Sequence, residues 1–214
     1  MVPNGGGGVA GSTGGASGVA GSEVGGGSSS VGGAANSAGS AGDASAGAAG
    51  DGAAPRTIQI SGLEDAFVDG CETGRNTGSD ETLSVDSDPC VFAVFVKPVA
   101  LSDIPAGATV ESALLELQCT DAGNAVRVLR ITGEWSEESV TWDTSPSIGD
   151  EIGSFEALEG PVFIDITELV TEWLEGAPIH GVALVQAEET DGSDYPSKEA
   201  GEANAPRIVV TYTP

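Results

Sequence analysis

Large apolar residues are missing from the first quarter of the chain. Residues 1–55 contain no Leu, Ile, Phe, Tyr or Trp, and 19 of the 33 glycines lie there. Such a segment has no apolar surface whose burial could offset the entropy lost when the backbone is ordered. We therefore expect residues 1–55 to be a disordered Gly/Ala/Ser-rich linker and residues 56–214 to form one folded domain.

Basic residues are also scarce. The chain has 7 Lys and Arg against 33 Asp and Glu, which gives a formal net charge of −26, and all seven basic residues follow Pro55. Nucleic acids and anionic membrane surfaces are bound through basic patches. The charge therefore argues against a nucleic-acid partner, whereas an acidic surface keeps a secreted protein soluble.

No run of residues approaches the ~20 apolar positions that a transmembrane helix requires. Residues 1–4 lead directly into a glycine run without the basic and apolar regions of a secretory signal. A Gly/Ser/Ala spacer is typical of a domain held away from a surface. We therefore hypothesise that a signal segment, such as that of a lipoprotein, precedes Met1, and that the protein is extracellular or on the cell surface.

Residues of the common hydrolase centres are few. His180 is the only histidine and no Gly-x-Ser-x-Gly motif is present, so a Ser-His-Asp triad cannot be assembled in the usual way. Paired carboxylates can hydrolyse glycosidic bonds, but a domain this rich in acids brings some pairs together by chance. We therefore predict that the domain is not an enzyme.

The three cysteines allow one disulfide and one free thiol. Cys119 continues an alternating run with Leu115 and Leu117, so we predict that it is buried as a small hydrophobe. Cys71 and Cys90 flank a Gly/Ser/Asp-rich stretch. We predict that they form a disulfide, whose loop closure contributes about 3 kcal/mol.

Beyond Pro55 the sequence consists mainly of short β-type runs separated by turn residues, a pattern typical of a sandwich. Residues 109–119 alternate most clearly, whereas residues 91–96 are apolar on both faces and are predicted to be a central strand. The other predicted strands are residues 57–60, 65–68, 82–85, 125–132, 162–164, 181–186 and 207–213.

One segment has helical periodicity. Within residues 165–176 the apolar side chains recur at positions that form one face of an α-helix, and Trp173 is among them. Asp165 and Glu168 resemble a capping box at the start, and Gly176 is typical of a helix end. We predict one short helix that covers one end of the sandwich, with Trp173 in the core.

Two longer blocks, LSDIPAGATVESALLEL at residues 101–117 and GEWSEESVTWD at residues 133–143, resemble the DNRLRE domain, also called the disaggregatase-related repeat. Shorter matching pieces follow the family's order, so that the resemblance spans nearly all of residues 63–213. It implies a jelly-roll-like antiparallel β-sandwich of secreted and surface proteins. It also implies kinship with a carbohydrate-binding module family that includes alginate binders.

Two departures from that family limit what is carried over. Its basic-aromatic-Asp strand motif is replaced by residues 97–100, where Pro98 must sit at a bulge or an edge. The acidic charge of the domain also suits an anionic polysaccharide poorly unless divalent cations bridge the two. We therefore do not expect alginate as the ligand.

Exposed aromatic rings could stack on the C–H face of a sugar. Tyr195 lies in a stretch of turn residues and is the best candidate for an exposed ring, the alternative being that it pins this loop. Trp135 and Trp142 are further ligand-binding candidates, with the alternative that both belong to the framework.

Acidic loops supply the oxygen ligands that hard cations prefer. Asp80, Glu81, Asp191 and Asp194 are the candidate ligands, although no loop matches the EF-hand pattern. These residues predict Ca²⁺ as a candidate cofactor, against the alternative of simple solvated loops.

The sequence as a whole favours a non-catalytic extracellular or cell-surface carbohydrate-binding module, with a polysaccharide or another surface or matrix component as its partner. The alternative is a structural or adhesion domain whose partner is a protein. Exposed aromatic residues in a groove would favour the sugar, and a broad apolar patch without a groove would favour the protein.

Overall fold

The computed structural model describes residues 53–187 and 191–214. Within these ranges the chain forms eleven β-strands, one α-helix and two one-turn 3-10 helices. The strands are β1 (Arg56–Ile60), β2 (Leu63–Asp69), β3 (Thr82–Val85), β4 (Phe92–Pro98), β5 (Thr109–Cys119), β6 (Ala125–Ile131), β7 (Ile148–Glu156), β8 (Gly160–Asp165), β9 (Val182–Gln186), β10 (Ser193–Pro196) and β11 (Arg207–Thr213). The helix α1 spans Thr167–Leu174, and the 3-10 helices span Trp142–Thr144 and Lys198–Ala200.

The strands form two main antiparallel sheets. One has the strand order β1-β11-β5-β8 and the other the order β2-β4-β9-β6-β7, and β10 pairs with β3 in a separate two-stranded sheet. Strand β4 lies between β2 and β9, as predicted for the run that is apolar on both faces. Pro98 is the last residue of β4, where the ladder ends and its missing N–H breaks no further pair.

The core lies between the two main sheets. Alternate residues of β5, of which Leu115 and Leu117 are typical, point inward and pack with the inward residues of β4, β6, β8, β9 and β11. Outward residues of β5 are half-buried or exposed. The predicted all-β, jelly-roll-like antiparallel sandwich with one short helix is confirmed.

The helix follows β8 directly and packs against β5. The Asp165 carboxylate accepts hydrogen bonds from both the backbone nitrogen and the hydroxyl of Thr167, which starts the helix. Leu169, Val170 and Trp173 are buried on its inner face, so the prediction that Trp173 belongs to the core is confirmed.

A long loop covers the outer face of the five-stranded sheet. Residues 132–147 lie across it, and Trp135 and Val140 from this loop form a second apolar cluster with outward residues of that sheet, among them Phe95. The outer face of the five-stranded sheet is therefore covered by this loop. The cluster contains no described residue of the sheet β1-β11-β5-β8.

Cys71 and Cys90 form a disulfide with their Cα atoms 5.5 Å apart, as predicted. Cys119 is a buried free cysteine at the end of β5, and its thiol contacts the carbonyl oxygen of Asp121 at 3.2 Å. Burial raises the pKa of the Cys119 thiol, so this group stays protonated at neutral pH. The prediction of a small buried residue is confirmed.

All nine predicted strands are present, but β7 and β10 are not among the predictions. The predicted linker, residues 1–55, lies outside the described residues apart from its last three. Among the described residues, no helix is long and apolar enough to cross a bilayer.

Candidate functional site

Tyr195 is not in an exposed loop, and the prediction that it offers a free ring is wrong. It lies in β10, paired with Leu83 of β3, and its side chain has no solvent-exposed area. The phenol oxygen shares a hydrogen bond with the Ser193 hydroxyl at 3.0 Å, and the ring meets Phe155 edge-on. Burial also raises the pKa of the Tyr195 phenol, so this group is neutral at physiological pH. Because its ring has no exposed area, Tyr195 cannot stack on a ligand.

Trp135 is also a framework residue, which contradicts its proposed role in ligand stacking. The side chain is only 8 % exposed, and the indole nitrogen donates a hydrogen bond to the His180 carbonyl oxygen at 2.8 Å. Phe95 packs against the ring, and the Lys97 ammonium lies 4.8 Å from the ring centre. Every part of the indole that a sugar would need is therefore occupied by the protein.

Trp142 is half-buried in the first 3-10 helix and packs against the same apolar cluster. Its ring is less buried than that of Trp135. The role of Trp142 in ligand binding stays a prediction.

The structure does not bring the four predicted metal ligands together. Asp80 and Glu81 precede β3, whereas Asp191 and Asp194 lie beside the other end of the β3–β10 pair. The Asp80 carboxylate forms an ion pair with the Arg75 guanidinium at 2.5 Å, which offsets its negative charge. The four residues therefore do not share one site, and the role of Asp80 and Glu81 as Ca²⁺ ligands stays a prediction.

Asp191 and Asp194 line a shallow depression that also contains Asp86 and Asp121. The Asp194 carboxylate accepts a hydrogen bond from the Ser84 hydroxyl at 2.7 Å. These acids are exposed or half-buried, which is the usual state of solvated carboxylates. The role of Asp191 and Asp194 as metal ligands stays a prediction.

The outer side of the sheet β1-β11-β5-β8 presents a row of side chains that sequence reasoning missed. The inward residues of these strands are buried, and their neighbours in the alternation point to solvent. We call this surface the open face. Its outward residues are Thr57, Gln59, Ser112, Leu114, Glu116, Gln118, Pro161, Phe163, Arg207, Val209 and Thr211.

Phe163 is the only large aromatic side chain with substantial exposure among the described residues, at 56 %. It lies on β8 between the inward-pointing Val162 and Ile164, so its ring must project outward. The strand pairing places it directly beside Glu116, which in turn lies beside Arg207. The Phe163 ring and the Glu116–Arg207 pair therefore lie side by side on β8, β5 and β11. These three adjacent strands together span ~10 Å.

Several polar groups line the same depression as the Phe163 ring. The Arg207 guanidinium contacts the Glu116 carboxylate at 2.7 Å, which balances its charge. Gln118 and Asn204 line the same shallow depression as Phe163, and their amides can both donate and accept hydrogen bonds. The depression therefore combines an aromatic ring that can stack on a ligand with polar groups that can donate and accept hydrogen bonds.

A second row crosses the open face next to the first. Leu114 on β5 pairs with Asp165 on β8 and with Val209 on β11, and Val209 pairs with Gln59 on β1. Leu114 and Val209 are half-buried and form a short apolar strip in the middle of the sheet. The polar residues Asp165 and Gln59 lie at the two ends of this strip. The face is thus a shallow, mixed surface that an extended ligand could cross.

A β-sandwich with an open sheet face, a projecting aromatic ring and flanking amides has the features of a ligand-binding module. A model of carbohydrate-binding module family 96 matches residues 56–212, and the chain belongs to this family. No curated protein sequence matches the chain at a significant level.

Proposed function

We propose that this chain is a non-catalytic extracellular or cell-surface module that binds polysaccharide through its open face, with Phe163 as the stacking residue. The family match supports a carbohydrate-binding role, and it leaves the site and the ligand open. The observation that carries the proposal is the 56 % exposure of Phe163 beside Gln118, Asn204 and the Glu116–Arg207 pair. The resemblance to the DNRLRE domain agrees with this role and stays a prediction at that finer level.

The proposed interaction uses ordinary sugar chemistry. A pyranose has an apolar C–H face that can lie on an aromatic ring and a rim of hydroxyls that both donate and accept hydrogen bonds. Phe163 supplies the ring, and Gln118 and Asn204 supply amide groups at its edge. Half-buried Leu114 and Val209 could contact further sugar units along the sheet.

The charge of the site favours a neutral glycan over a polyuronate. Arg207 is the basic residue of the depression, and its charge is matched by Glu116 at 2.7 Å. The chain as a whole carries a formal charge of −26. A polyanionic glycan would therefore be repelled at long range and would find no excess positive charge on contact.

The test is binding of the full chain to neutral glucans, xylans and mannans and to alginate and pectate, by affinity electrophoresis and calorimetry. We expect binding to at least one neutral glycan and none to the polyuronates. Phe163→Ala should weaken binding at least about fivefold, since truncation of a central aromatic contact costs 1 kcal/mol or more. The stability should change by less than about 0.5 kcal/mol, because the ring is exposed.

Leu158→Ala is the matched control, because Leu158 is an apolar side chain of 69 % exposure that is not part of the open face. It should bind as the unmodified protein does. Equal binding by Phe163→Ala would rule out the open face. An unmodified chain that binds no glycan would leave a structural or adhesion domain with a protein partner as the better account.

A further inference from the structure

Three carboxylates from distant parts of the chain converge beside β2. Asp65 lies on β2, Glu137 on the loop that covers the five-stranded sheet, and Glu199 in the second 3-10 helix. Each offers a carboxylate oxygen that lies within 4.8 Å of the other two. Asp65 is only 1 % exposed. We call these residues the acidic triad.

The backbone around the second 3-10 helix fixes two members of the triad. The Ser197 hydroxyl caps this helix by accepting a hydrogen bond from the Glu199 backbone nitrogen at 3.1 Å. The Lys198 backbone nitrogen donates to Asp65 Oδ2 at 3.0 Å, which ties the helix to β2. Asp65 and Glu199 are thereby held beside one another by main-chain contacts that do not involve their remaining oxygens.

The third member is held by the covering loop. The Glu137 backbone nitrogen donates to the Glu64 carboxylate at 3.1 Å, and its carbonyl oxygen accepts from the Asn76 amide at 2.8 Å. Gly78 packs so closely here that a Cβ atom at this position would lie 2.3 Å from the Glu137 carbonyl oxygen. A side chain at residue 78 would therefore displace the loop that carries Glu137.

Two oxygens of the triad lack donors. Asp65 Oδ1 and Glu199 Oε2 are buried, and neither accepts a hydrogen bond from the described residues. Burial of a carboxylate oxygen without a donor is unfavourable, because the oxygen loses its hydrogen bonds to water. Two acceptors in this position can share either a proton or a cation, which relieves the repulsion between them.

The charge at the triad is not balanced. The Lys198 ammonium contacts Glu137 and lies 2.5 Å from Glu199 and 3.8 Å from Asp65. One positive charge thus faces three negative ones. The adjoining Glu64 is already paired with Lys97 at 3.3 Å, so it brings no further positive charge.

We propose that the acidic triad of Asp65, Glu137 and Glu199 is a binding site for one Ca²⁺ ion, which replaces the Lys198 ammonium among the three carboxylates. With Ca²⁺ in place of the ammonium, the net charge among the three carboxylates and their cation changes from −2 to −1. Three carboxylates that bind through one or two oxygens each supply much of the six- to eight-oxygen shell that Ca²⁺ prefers. The Lys198 side chain is 32 % exposed and has a flexible stem, so it can turn toward solvent.

The test is calcium titration of the full chain after treatment with chelator, followed by calorimetry and by thermal unfolding in circular dichroism. We expect one bound Ca²⁺ and, at about 100-fold excess over Kd, a rise in Tm of roughly 5–10 °C. Asp65→Asn keeps an oxygen for the Lys198 backbone nitrogen and removes the charge. This variant should fold in chelator with a Tm at least as high as that of the unmodified protein, and it should lose the calcium response.

Glu172→Gln is the matched control, because it removes one charge from a half-buried acid outside the triad. It should keep the full rise in Tm, and Glu137→Gln, a second triad variant, should lose it. A chain whose Tm does not respond to Ca²⁺ would overturn the proposal and indicate a shared proton instead. A calcium response that survives in both Asp65→Asn and Glu137→Gln would also overturn it, since the ion would then bind elsewhere.

Discussion

Trp135 donates a hydrogen bond from its indole nitrogen to the backbone carbonyl oxygen of His180, and this bond attaches the covering loop to the segment before β9. The same ring packs on Phe95 and lies under the Lys97 ammonium. Trp135, a candidate from the sequence for stacking on sugar, therefore stabilises the sandwich instead.

Trp135→Phe tests this role. The change keeps an aromatic ring and removes the indole N–H, so that the His180 carbonyl loses its partner. We expect the free energy of unfolding to fall by about 1–3 kcal/mol in urea denaturation, with no change in glycan binding by the folded protein. His180→Ala is the control, since it keeps the carbonyl and should change stability much less. A loss of glycan binding in folded Trp135→Phe would contradict the structural role.

The strand alternation in the sequence was enough to predict most of the sandwich. Residues 109–119 alternate so regularly that the inward and outward faces of β5 could be assigned directly. Strand β10 is different, because it has only four residues and is composed of Ser, Asp, Tyr and Pro, which are also common in turns. Its pairing with β3, which no local pattern specifies, makes it a strand and buries Tyr195.

The open face could not be located from the sequence for a related reason. Residues 160–165 show an apolar side chain at three successive positions, so either face of β8 could have been buried. Phe163 becomes a candidate only when the structure shows that the other sheet has the covered outer face. The acidic triad is harder still, because its members are separated by more than sixty residues along the chain and meet only through tertiary contacts.

Loss of the Cys71–Cys90 disulfide should destabilise the domain without changing its fold. The two cysteines are 19 residues apart, and opening a loop of this size costs about 3 kcal/mol in the chain-entropy account. We expect Cys71→Ser with Cys90→Ser to lower the urea midpoint accordingly. Treatment of the unmodified protein with reductant should produce the same shift and serves as the control. A loss below about 1 kcal/mol would mean that the unfolded chain gains little freedom from the opening.

Lys198→Met probes the cation site in the opposite direction from the triad variants. Removing the ammonium leaves three carboxylates without their nearest counter-charge, while the Lys198 backbone bond to Asp65 is kept. We expect Ca²⁺ affinity to rise roughly tenfold or more by calorimetry and the Tm in chelator to fall. Arg127→Met, which removes a positive charge from an exposed pair with Glu151, should leave Ca²⁺ affinity unchanged. An affinity that falls or stays constant in Lys198→Met would show that the lysine does not compete with the ion.

The difference between the two outer faces determines which parts of the domain can diversify. Thr57, Gln59 and Thr211 lie on the open face and do not belong to the apolar core, so substitutions there alter the surface at little cost to stability. The outer side of the other sheet is sealed by Trp135 and Val140, and a change there disturbs packing first. Under the proposed function, ligand preference could therefore change through substitutions on the open face alone, while the covered face preserves the architecture.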